Sequence, residues 1–221
     1  MNDPEAAREL QALGLRVLPV TVVDGRQPVV GYEVPALKKL LGIGAEVPRD
    51  LNAAELLEKY RLAYDAARRA VQQIPNDMLD WATPAKERRG QTLRQIAWHL
   101  FDRPDVCMDA AKTGHFTFED IHQYERLANN YRTTRDIVEY GDDIMARLED
   151  FLTNQPHLLD TVVQAYFGPR TVGQLLNMTL SGIVLRLKQT YHFMRSVGVE
   201  PKDTMREEDF AGIPVPKKLF G

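Results

Sequence analysis

The chain has 221 residues, of which 44% are hydrophobic and 27% charged, and a formal net charge of −3. The apolar fraction supports a folded core and excludes wholesale disorder, while the near balance of charge excludes the basic footprint of a general nucleic-acid binder. No apolar run reaches the ~18 residues of a membrane span, and the polar, acidic start of the chain does not read as a signal peptide. The expectation is therefore a cytoplasmic protein with neither membrane nor nucleic acid as partner. One cysteine, Cys107, excludes an intramolecular disulfide and a thiolate zinc site.

Pro4 to Leu13 is predicted as a short helix, with Asp3 as N-cap, Pro4 at N1 and Gly14 as its stop. Val17, Val20, Val22 and Val23, the Asp24-Gly25 step, then Val29 and Val30 predict a β-hairpin. Pro28 suits an edge or a strand start. Pro35 to Leu41 reads as a second short helix ended by Gly42. Residues 1–43 thus form a small αββα unit, and 44–51, with Gly44, Pro48 and Asp50, read as a linker.

From Asn52 onward the period is helical throughout. Asn52 with Glu55 resembles a capping box that opens a helix to about Gln73, with Leu56, Tyr60, Ala63, Ala67 and Val71 on one stripe. Pro75 to Arg89 reads as a loop or broken turn. Thr92 with Gln95 opens a second helix through His99, and Pro104 is expected to kink or restart it. Gly114 to Phe118 is a break, after which Thr117 and Asp120 cap the next stretch. Thr133 to Asn154 is a third long helix, and Thr171 with Gln174 opens a fourth that runs to Arg195 before Gly198. Residues 52–200 therefore read as a helical bundle and 201–221, with Pro201, Pro214 and Pro216, as an irregular tail.

Several short motifs sit in that order: Leu56-Leu57-Glu58-Lys59-Tyr60, Thr92-Leu93-Arg94-Gln95-Ile96-Ala97-Trp98-His99-Leu100, Thr171-Val172-Gly173-Gln174-Leu175-Leu176, then Gln189 and Met194-Arg195-Ser196-Val197-Gly198. Over about 52–200 the chain resembles the DinB/YfiT-like superfamily. The resemblance implies a mainly α fold, a four-helix bundle that is often a homodimer. It also implies a divalent metal held by one histidine of the second helix and two of the last helix, at i and i+4. His99 matches the first of these, whereas Gly182 and Arg186 stand at the other two positions. Neither glycine nor guanidinium can ligate a metal, so the metal site reads as dismantled and no bound metal is expected. His192, six residues beyond Arg186, faces elsewhere. Gly182, Arg186 and Gln189 share a stripe facing the place of His99. An arginine there needs an anion: either an internal acid such as Glu139, Asp142 or Asp143, or an anionic small-molecule ligand held by Arg186 and His99.

The N-terminal segment carries a second set of motifs: Ala12-Leu13-Gly14-Leu15-Arg16-Val17-Leu18-Pro19-Val20-Thr21-Val22-Val23-Asp24-Gly25, Val30-Gly31-Tyr32 and Leu37-Lys38-Lys39-Leu40-Leu41. It resembles the C-terminal half of a glutaredoxin or thioredoxin-like domain. The resemblance implies a cis Pro19 and a thiol-binding surface around Leu18, Pro19 and Tyr32, with glutathione as the thiol. The Cys-x-x-Cys half of that family does not occur in this sequence, so the unit is not expected to run disulfide exchange itself. Its bland use is docking or dimerisation.

Two functions follow. One is a thiol-dependent transferase or isomerase of a small molecule, with glutathione as co-substrate and His99 and Arg186 as catalytic residues beside Gln189. The other is a non-catalytic small-ligand-binding or dimeric scaffold protein. Cys107 reads as a buried small hydrophobe, His115 with His122 as weak metal spacing, and His157 as a solvated loop residue. Trp98 and Tyr191 read as core or pocket lining, and Asp142-Asp143 and Glu207-Glu208 as solvated charge.

Overall fold

A computed structural model describes residues 4–14, 20–23, 28–30, 34–42, 49–215 and 219, without the side chains of 4, 6, 7, 30, 34–36 and 122–125. The protein is mainly helical, with a small proportion of strand. It divides into two compact units, Met1–Arg49 with Ala165–Pro169, and Asp50–Gln164 with Arg170–Gly221. The boundary between Arg49 and Asp50 falls inside the stretch read as a linker. Among the described residues no helix is long and apolar enough to cross a membrane.

The first unit contains helix α1 (Pro4–Ala12), strands β1 (Val20–Thr21) and β2 (Val29–Val30), and helix α2 (Val34–Leu41). The strands pair antiparallel, Val20 opposite Val30 and Thr21 opposite Val29. Gly14 follows α1 at φ +70°, where a side chain would be strained. The Asp24-Gly25 step lies outside the described residues.

The second unit is built on helices whose starts are written in the sequence. Helix α3 (Ala53–Gln72) carries the Asn52–Glu55 capping box; helix α4 (Ala85–Arg88) is a single turn. Helix α5 (Leu93–Trp98) carries the Thr92–Gln95 box and ends early, and helix α6 (Arg103–Thr113) restarts with Pro104 in its first turn. Proline lacks the N–H that a continuing helix needs, so Pro104 is tolerated only at a new start. Helix α7 (Phe118–Leu127) and helix α8 (Thr134–Asn154) carry the Thr117–Asp120 and Thr133–Asp136 boxes.

Strand β3 (His115–Phe116), strands β4 (Val162–Ala165) and β5 (Gly168–Thr171), and helix α9 (Val172–Ser196) complete the order. The three strands form one sheet in the order β3-β4-β5. That sheet corrects the reading of everything after Asn52 as helical. Its strands are two to four residues long, and the alternation in β4, with Val163 and Ala165 buried between exposed neighbours, is too short to register as a period.

α3 packs along α8 and α9, and α6 packs along the same two helices. The buried stripes are Leu56, Tyr60, Ala63, Ala67 and Val71 of α3, and Ile137, Ile144, Leu148 and Leu152 of α8. Each buried Leu or Ile contributes roughly 1.5–3 kcal/mol. Tyr60 and Tyr64 are polar-tipped members of the α3 stripe, and both hydroxyls are used. Tyr60 donates to the Leu176 carbonyl at 2.7 Å, tying α3 to α9, and Tyr64 donates to the Phe101 carbonyl at 2.8 Å.

The tail is less irregular than its prolines suggest. Residues Glu207–Phe210 form a 3-10 turn, and Met205, Phe210 and Ile213 are buried. Lys202 N donates to the Gln73 side chain at 2.8 Å, and the Lys188 ammonium lies 4.3 Å from the Phe210 ring centre. These apolar and cation–π contacts attach residues 201–213 to the helical core.

Candidate functional site

The break between α5 and α6 creates the site. His99 is the C-cap of α5, its N–H donating to the Gln95 carbonyl at 3.0 Å, and Asp102 is the residue before α6. One tight turn thus separates an imidazole from a carboxylate, three residues apart. His99 Nδ1 and Asp102 Oδ2 are 3.1 Å from one another, with the side chains 1% and 0% exposed. With the carboxylate as acceptor, Nδ1 carries the ring proton and Nε2 keeps the lone pair. Arg103 Nε is 3.5 Å from the same Oδ2, and its Nη1 donates to the Ile121 carbonyl at 3.3 Å. The second carboxylate oxygen, Asp102 Oδ1, is buried and has no hydrogen-bond partner among the described residues.

Two features hold the turn in place. The Tyr64 hydroxyl takes the Phe101 carbonyl, and the two rings meet edge-on with centres 5.2 Å apart. On the other side the Phe101 ring lies against Gly141 of α8, so close that a Cβ there would stand 2.6 Å from Phe101 Cδ1. Trp98 stacks on Tyr140 at 5.4 Å and 14°, forming an aromatic wall beside the imidazole. Arg94, buried one turn earlier, spans Asp80 at 2.9 Å and the Tyr131 carbonyl. This clamp fixes α5 from below.

Arg186 stands on α9. Its Nη1 lies 3.2 Å from where a Cβ on Gly182 would be, so the guanidinium folds back over the bare backbone one turn earlier. Burial holds His99 below the ordinary histidine range, Asp102 opposes that shift, and the positive charges of Arg186 and Arg103 add to it. The ring is therefore neutral at pH 7.

The structure thus groups His99 with Asp102 and Arg103, and the positive charge of Arg186 acts on the imidazole from α9. The signal for Asp102 was present in His99-Leu100-Phe101-Asp102, since residues three apart meet across one turn. Among the acids named as candidate partners of Arg186, Asp142 pairs with Arg68, Glu139 pairs with Arg135 at 2.7 Å, and Asp143 is exposed. The carboxylate beside His99 is Asp102. Gln189 is buried; its amide donates to the Leu219 carbonyl at 2.5 Å, while its Oε1 is buried with no hydrogen-bond partner among the described residues. Leu18, Pro19 and Tyr32 lie outside the described residues.

Cys107 is buried, with Sγ 3.3 Å from Thr179 Oγ1. Burial pushes its thiol up to about 12, against the opposing Thr179 hydrogen bond and Arg103 charge, so it stays protonated. His192 pairs with Glu87 at 3.3 Å, and His115 and His157 are exposed. The side chain of His122 is outside the described ones. Among the described residues no group of three or more His, Cys, Asp or Glu is placed to hold a metal ion. An open groove of about 380 Å³ between α6 and α8 is lined by Asp105, Met108, Asp109, Arg147, Asp150 and Phe151 among others. It contains none of the His99 cluster, and Asp105 within it is paired with Arg147.

No family model matches the chain, and no curated protein matches it significantly.

Proposed function

We propose that the second unit is a DinB-like bundle whose site at His99 transfers a proton on a small organic anion, using the side chains of the chain itself. The donor set does not fit the imidazole-held metal that the resemblance implies. Gly182 has no side chain, Arg186 has no lone pair, and the guanidinium fills the space that a side chain at 182 would need. In this reading Arg186 binds the anionic group of the substrate. His99 Nε2 accepts a proton from the substrate and later returns it, while Asp102 holds Nδ1 and balances the transient imidazolium. Glutathione or a related thiol remains the proposed co-substrate, with Leu18, Pro19 and Tyr32 as its binding surface. The reaction class is transfer or isomerisation of a small molecule, in a homodimer.

The observation that supports this reading is the buried imidazole of His99 with its Nδ1 held by Asp102 at 3.1 Å, on which the positive charge of Arg186 acts from α9. A second reading, a binding or scaffold protein without catalysis, is favoured by the burial of the pair, 1% and 0% exposed. There His99 and Asp102 act as a clasp across the turn between α5 and α6. Titration with millimolar acetate, pyruvate and glutathione, followed by calorimetry and by the His99 ring resonances, separates the two. The first reading expects a His99 shift with at least one carboxylate, lost in Arg186→Met. An unmoved ring with every ligand leaves the clasp.

A further inference from the structure

We infer that helix α7 is a door to the buried His99–Asp102 pair, latched by Arg103 through the Ile121 carbonyl. The door completes the proposed function, on which it rests, because an imidazole that is 1% exposed needs a route for its substrate. One guanidinium joins the two sides. Arg103, itself buried, places Nε 3.5 Å from Asp102 Oδ2 and donates from Nη1 to the Ile121 carbonyl at 3.3 Å. The same Asp102 oxygen lies 3.1 Å from His99 Nδ1. The backbone of α7 is therefore one side chain away from the carboxylate that holds the imidazole. Moving it bares the guanidinium and the carboxylate behind it.

α7 is weakly anchored by apolar burial. Phe118 and Leu127, at its two ends, are 57% and 41% exposed, and none of its described side chains is buried. By contrast, α6, α8 and α9 each bury seven or more residues. An element that covers little apolar surface opens locally at a fraction of the free energy of global unfolding. α7 also carries its own cap: Thr117 Oγ1 accepts from Asp120 N at 3.1 Å, and Asp120 accepts from Thr117 N at 2.8 Å. It therefore keeps its helical start when it leaves α6. Its two posts stay fixed. Phe116 is buried in β3, whose sheet is tied by Gln164 N donating to the Gly114 carbonyl at 2.8 Å. At the far end Ala128 is buried and the Tyr131 carbonyl is held by Arg94.

The test uses the whole chain and two readouts at rising urea below the unfolding transition. Amide hydrogen exchange by mass spectrometry follows α7 against α3, α8 and α9. Carbethoxylation by diethyl pyrocarbonate follows His99 against the exposed His157. α7 should exchange at least about tenfold faster than the three long helices. His99 should react with the same shallow urea slope as α7, well below that of global unfolding. Arg103→Met removes the latch and should speed both by about tenfold or more, the factor for one hydrogen bond from a charged group, with protection in α8 and α9 retained. Should that variant not fold, the wild-type comparison decides alone. Reaction of His99 through a shallow opening that α7 does not share, or unchanged rates in a folded Arg103→Met, overturns the door and leaves the proposed function standing. Reaction of His99 only with the full slope of global unfolding overturns both.

Discussion

Replacing Gly141 by alanine should strain the turn that carries His99 and Asp102. The new Cβ would stand 2.6, 2.8 and 2.9 Å from Cδ1, Cγ and Cε1 of Phe101. Carbon atoms in contact rest at about 3.5–4.0 Å, so the ring must retreat by roughly 1 Å. It has little freedom to do so, being 1% exposed and set edge-on against Tyr64, whose hydroxyl holds the Phe101 carbonyl. Overpacking of this kind costs about 1–3 kcal/mol. Exchange of glycine for alanine inside a helix returns about 1 kcal/mol. The net expectation is a loss of up to about 2 kcal/mol, read as a lower urea midpoint at unchanged slope. The His99 ring resonances should move as well, because Phe101 lies two residues away. A variant as stable as the wild type, or more stable, would show that Phe101 yields freely and that Gly141 does not fix the turn.

Stability should fall on acidification through His99. Its folded-state pKa is depressed, first by burial, so the unfolded chain binds the proton more readily and stability is lost as pH falls from about 6.5. One proton limits the slope to about 1.4 kcal/mol per pH unit, and the difference between wild type and His99→Gln in urea melts at pH 7 and pH 5 isolates it. Cys107, with its thiol pushed up to about 12, should resist iodoacetamide in the folded protein at pH 8 and react fully in urea, as mass spectrometry would register. Removing the capping box of α9 by Thr171→Ala should cost about 1 kcal/mol in the urea midpoint, because Gln174 N loses its 3.1 Å acceptor.

The helical frame was legible because the three long helices α3, α8 and α9 announce their starts with a side chain that captures a backbone N–H, at Asn52, Thr133 and Thr171, as Thr92 does for the short α5. Pro104 likewise marked the break between α5 and α6 through a missing donor. The sheet of β3, β4 and β5 was not legible, because strands of two to four residues are defined by pairing across distant sequence rather than by local period. His99 and Arg186 were found through a resemblance, and their neighbourhood carried more than the resemblance implied. Asp102 had no role in the sequence reading, because a three-residue spacing does not by itself say whether a carboxylate turns inward or to solvent. Its side chain in fact makes no cap hydrogen bond and turns inward to the imidazole. The role of the tail was hidden by its prolines, since nothing local distinguishes an irregular segment anchored by Met205, Phe210 and Ile213 from a loose one.

Whether His99 and Arg186 act as one site is decided by a pH titration of the His99 ring by NMR in wild type and in Arg186→Met. The wild-type midpoint should lie below the ordinary histidine value, because burial first and then the Arg186 charge disfavour the imidazolium. Loss of the Arg186 charge should raise that midpoint while the Asp102 contact persists. A midpoint at the ordinary value, or one that does not move when Arg186 becomes methionine, would show that the two residues do not share a site and leave the imidazole as a clasp between two helices.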